Sequence, residues 1–130
     1  MCQRGRGVVQ QLFEQFDHER LRGIIVWLSM LTGDNVDAAH AQAKLVQDRR
    51  VVKVWDAERR TAELFAQMLV LSCPAWDVYL LYPTGVRWDA AEPPRPAFWM
   101  HQLPEAVGAE SGLPLKPDRL AEELRWLLEA

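Results

Sequence analysis

The spacing of apolar positions changes period several times along the chain. Val8, Val9, Leu12, Phe13 and Phe16 share one helical face, with Gln, Glu and Asp on the other, and predict a helix from about Arg6 to His18. Ile24 to Leu31 is almost unbroken in its apolar character, as expected of a strand covered on both faces in a parallel sheet. Thr32-Gly33-Asp34-Asn35 interrupts it and offers a helix N-cap. The alanine-rich stretch from Val36 to Gln47 favours a helix. Val51 to Trp55 reads as a shorter strand, and Asp56 then caps a helix from Ala57 to Leu71.

The sharpest local pattern lies in the second half. Trp76 to Tyr82 is a compact run of aromatic and β-branched residues suited to a half-buried pleated surface. Pro83-Thr84-Gly85 supplies a turn, and Val86-Arg87-Trp88 a short return strand, so a β-hairpin is expected. Glu92-Pro93-Pro94-Arg95-Pro96 is extended chain. Phe98 to Leu103 is apolar but short, and is read as one helical turn packed on the core. Pro104 to Pro117 is a loop. Pro117 and Asp118 then open a last helix whose inner stripe is Leu120, Leu124, Leu127 and Leu128.

The order α-β-α-β-α-β-β-α implies an α/β fold with parallel connections finished by an antiparallel hairpin. Its length, 130 residues, suits a single domain, with no linker and no repeat. A net charge of −3, with basic residues scattered among acids, gives no electrostatic footprint for nucleic acid. No apolar run is long enough to cross a bilayer, and early arginines without an apolar region behind them argue against a signal peptide. A cytoplasmic protein without a membrane partner is therefore expected. Two cysteines, Cys2 and Cys73, are too few for a disulfide framework or a zinc site. His18, His40 and His101 lack ligand spacing, so neither a metal nor another cofactor is expected.

This layout resembles the thioredoxin-like (redoxin) family. The residues that carry the resemblance are Cys2-Gln3-Arg4-Gly5 before the first helix, Ile24–Leu31 as the buried strand, and Val51–Asp56 with its following helix. Cys73-Pro74 stands where that family has a cis-proline, and Gly85 where it has a hairpin glycine. The resemblance implies one thioredoxin-like mixed sheet with helices on both faces, closed by a C-terminal β-hairpin and helix. It departs from the family in two ways: Gly5 stands where a second cysteine of Cys-x-x-Cys belongs, and no strand precedes the motif. That strand lies between the buried strand and the hairpin, so its loss exposes two unpaired edges. Either the chain is an N-terminally shortened form, the preferred reading, or Ile24–Leu31 pairs directly with Trp76–Tyr82.

The resemblance implies thiol-disulfide chemistry on a protein thiol or disulfide partner. Cys2, at a helix N-terminus beside Arg4 and Arg6, is the candidate thiol, because the helix dipole and nearby cations favour a thiolate. The plainer alternative is a frayed terminal residue with an ordinary thiol. Cys73 and Pro74 would line the substrate groove, with a Cys2–Cys73 disulfide conceivable; alternatively Cys73 is a small core residue and Pro74 merely ends a helix. Asp34 and Asp56 are better explained as helix caps than as proton-transfer groups, and His101 as a packing residue. The competing function is a non-catalytic binding domain, with Phe98 and Trp99 beside the proline-rich segment as the partner contact.

Overall fold

The structure is a computed structural model that describes residues 3–30, 35–104 and 112–130. The elements run α1 (Gln3–Gln15), β1 (Gly23–Leu28), α2 (Val36–Ala43), β2 (Val51–Asp56), α3 (Arg60–Leu69), β3 (Val78–Leu81), β4 (Phe98–His101), β5 (Leu113–Pro114) and α4 (Pro117–Glu129). No helix among the described residues is long and apolar enough to cross a membrane. The chain divides into two compact units, Met1–Arg60 and Thr61–Ala130.

In the first unit, β1 and β2 pair in parallel, with Gly23 opposite Val51 and Leu28 opposite Asp56. The connection between them carries α2, as a parallel pair requires. Asn35 opens α2: its side-chain oxygen accepts the Ala38 N–H at 2.8 Å. Asp34 lies outside the described residues. On α1, Val8, Leu12 and Phe13 are buried, the stripe that the helical spacing predicts. The Phe13 ring lies so close to Gly23 that a Cβ there would come within 2.6 Å of it.

Arg50 fastens the end of α1. Its guanidinium donates to the carbonyls of Phe13 (2.6 Å), Phe16 (2.6 Å) and His18 (3.3 Å). Asp48 holds the guanidinium from the other side, at 2.9 Å to Nε and 2.8 Å to Nη2. The same cation lies 4.9 Å from the Phe13 ring centroid. Those carbonyls belong to the last turn of α1 and its exit, where helices leave acceptors unsatisfied.

The second unit holds a three-stranded sheet. β3 and β4 are antiparallel, with Val78 opposite His101 and Leu81 opposite Phe98, and β5 adds in parallel to β4. Leu69, Trp99 and Leu103 form a buried cluster against which Met68, Leu71, Cys73, Val78 and Leu80 pack. From α4, Leu120, Ala121 and Leu124 are buried. Gly112 lets the chain approach Trp99, since a Cβ there would lie 2.6 Å from its ring.

Several expectations need correction. The strands form two sheets instead of one mixed sheet, and no ladder among the described residues joins β1 to β3. Each of these strands is a sheet edge, so Ile24–Leu31 does not pair with Trp76–Tyr82. The antiparallel partner of β3 is Phe98–His101, read from sequence as a helical turn, and not Val86–Trp88. Gly85 does turn the chain, at φ 89°, but Val86 and Trp88 behind it remain exposed. Trp88 meets Phe65 edge-on at 5.6 Å, a side-chain contact instead of a ladder. Trp99, Met100 and His101 are all buried, so burial selects the later run as the strand. The Cys73–Pro74 bond is trans, since no cis peptide occurs among the described residues. There the chain bends instead through a hydrogen bond from the Trp76 N–H to the Pro74 carbonyl at 2.9 Å.

Candidate functional site

The candidate thiol, Cys2, lies outside the described residues. The described chain begins in α1, Gln3–Gln15, which has no acidic residue in its first turn. Arg4 and Arg6 both belong to that turn and the next. Arg6 is drawn toward α2 by a 2.5 Å hydrogen bond from its guanidinium to the Gln42 side chain.

Cys73 is a free, partly buried thiol against the Leu69–Trp99–Leu103 cluster, the environment of a small core residue. Pro74, next to it, is partly buried. The proposed contact pair divides. Phe98 is partly buried, with the Arg119 guanidinium 5.5 Å from its ring centroid, whereas Trp99 is only 8% exposed and belongs to the core. Trp99 packs with Leu69 and Leu103, and Met100 on the opposite side of β4 is fully buried. Both faces of the strand are therefore covered, and Phe98 at its start is the less buried of the pair. That removes Trp99 as an anchor for a partner.

His101 is buried, and its Nδ1 accepts the Leu103 N–H at 3.1 Å beside the Trp99 ring. This is the packing role expected of it. Asp56 accepts the Arg60 N–H at 3.2 Å, so it serves the start of α3, three residues later than the apolar pattern suggested. No group of three potential metal ligands occurs among the described residues.

No family model, curated protein or solved structure matches the chain.

Two surfaces escaped the sequence reading. On the β1–β2 pair, Ile24 and Val26 alternate onto one face with Val52 and Val54 across the ladder. Ile24 is 72% exposed, Val52 58% and Val54 40%. Parallel strands are normally covered on both faces, so this open apolar face is unusual. The signal for it was present: a continuous apolar run in β1 opposite Val52 and Val54. The second surface is the outer side of α4, where Arg119, Glu122, Glu123, Arg125, Trp126 and Glu129 line a shallow depression of about 370 Å³. Trp126 is 75% exposed there. Its position off the leucine stripe could have revealed it.

Proposed function

We propose that this chain is a cytoplasmic thioredoxin-like domain that exchanges thiols and disulfides with a protein partner through Cys2. What carries the reading is sequence order: Cys2 precedes the described part of α1, Gln3–Gln15, whose first turn holds no acidic residue. A thiol at a helix N-terminus has its thiolate favoured by the unpaired N–H groups and the positive end of the dipole. The parallel β1–α2–β2 unit, the antiparallel β3–β4 pair and the final helix support the same layout. Pro74, in a trans bond, has no groove-forming part in this proposal.

The chemistry follows from one thiolate. Cys2 attacks one sulfur of a partner disulfide, a Cys2–partner S–S bond forms, and the displaced sulfur leaves as a thiolate. A second thiol, from the partner or a small-molecule thiol, attacks the Cys2 mixed disulfide and returns Cys2 to its thiolate. Measuring alkylation rate against pH in wild type, Cys2→Ser and Cys73→Ser tests this. The Cys2-dependent step should titrate well below the free-thiol value of about 8.5. An ordinary value, with no exchange against an aryl disulfide, would remove the redox reading.

A second reading is a non-catalytic binding module, and the open face of Ile24, Val26, Val52 and Val54 favours it. Covering such β-branched surface stabilises a complex by roughly 25 cal/mol per Å² before association costs are subtracted.

A further inference from the structure

The outer side of α4 carries a charge pattern that fits its own copy. Arg119, Glu122, Trp126 and Glu129 follow at intervals of three, four and three residues, so they stand in one seam along the helix. Leu120, Ala121 and Leu124, the buried stripe, lie on another side of the helix. Trp126 is 75% exposed in the middle of this seam. An exposed tryptophan among charges is an unusual use of the most amphipathic anchor residue.

We infer that two copies of the chain associate through α4, antiparallel, about a two-fold axis level with Leu124. In that register Arg119 of one copy meets Glu129 of the other, twice by symmetry, and each Trp126 lies over the Glu122 stem of its partner. The parallel arrangement instead sets Arg119 on Arg119, Glu122 on Glu122 and Glu129 on Glu129, three like-charge layers. Charge therefore selects the antiparallel pair. Arg119 is already oriented for the contact: Glu123 holds its Nη2 at 2.8 Å and the Phe98 ring lies 5.5 Å from its guanidinium carbon. Its side chain keeps 48% of its surface exposed, and a guanidinium has donors to spare for a second carboxylate. One short helix per copy covers less than the roughly 800 Å² per partner of a stable interface. The dimer is accordingly weak, with a dissociation constant on the order of 100 µM.

Sedimentation of the full chain between roughly 10 µM and 1 mM reads this directly. Reductant in the buffer keeps disulfide-linked dimers out, so the outcome is independent of the redox proposal. Wild type should pass from monomer to dimer. Glu129→Arg should raise the dissociation constant roughly tenfold, and Arg119→Glu combined with Glu129→Arg should restore it. Trp126→Ala should leave a monomer throughout, with circular dichroism showing the helices intact. A wild type that stays monomeric overturns the inference. So does a dimer indifferent to Glu129→Arg and Trp126→Ala, or a double swap that fails to restore association.

Discussion

Arg50 ends α1 where many helices turn through a left-handed glycine. One side chain satisfies three carbonyls, at Phe13, Phe16 and His18, and lies over the Phe13 ring as well. Arg50→Ala should cost about 2–3 kcal/mol, because hydrogen bonds to a charged donor are lost from acceptors that lie half out of water. Arg50→Lys should recover part of this, since an ammonium lacks the planar fork. Hydrogen bonds from Arg50 hold the Asp48 carboxyl down at about 2, against an ordinary value of 3.8. A depressed carboxylate stabilises the fold above the ordinary value and stops doing so as pH falls through the folded one. The urea midpoint of wild type should therefore exceed that of Asp48→Asn at neutral pH, and the gap should close between about pH 4 and 2. A gap that persists at pH 2 would mean that Asp48 acts by shape and not by charge. None of this is legible in the sequence, where nothing about Asp48-Arg49-Arg50 marks the carbonyls at the end of α1 as partners.

At the scale of elements, helices were easier to read than strand partners. The final helix begins at Pro117 as its proline predicts, and α1 keeps its Val8–Leu12–Phe13 stripe although its bounds shift. A helix declares itself within one segment, whereas a strand needs a partner that local sequence does not name. Hence β3 was recognised but its partner was sought across the nearest turn. The true partner lies beyond a long excursion that includes Tyr82, whose hydroxyl donates to the Pro94 carbonyl at 2.8 Å. Burial alone pushes that phenol up to about 12. The two-residue strand β5 was missed entirely, since its place depends on Gly112 admitting the Trp99 ring. Gly112→Ala should lower stability by about 1–3 kcal/mol, the usual cost of forcing volume into a packed core. A reduced melting temperature and a changed near-ultraviolet tryptophan signal would report it. An unchanged signal would show that Trp99 does not pack on that backbone.

Over the whole molecule, composition set the class and left the surfaces undetermined. The alternation of elements gave α/β, yet the expectation of one sheet failed at β1 and β3, each an edge in its own unit. The same β1 run explains the open face: an unbroken apolar strand predicts cover on both faces, yet Ile24 on one of them is 72% exposed. That face should govern how the protein behaves when its charge disappears. The chain carries −3 at pH 7 and its isoelectric point is near 5.6, where mutual repulsion between molecules vanishes. Light scattering should therefore peak near pH 5.6, driven by contact between faces whose Ile24 and Val52 are 72% and 58% exposed. Replacing both by threonine keeps β-branched side chains on the strands, and so the ladder, while adding a hydroxyl to each. The peak should shrink without moving in pH, because no charge changes. A peak of undiminished height would show that the molecules meet through some other surface, and the binding reading built on this face would then fall.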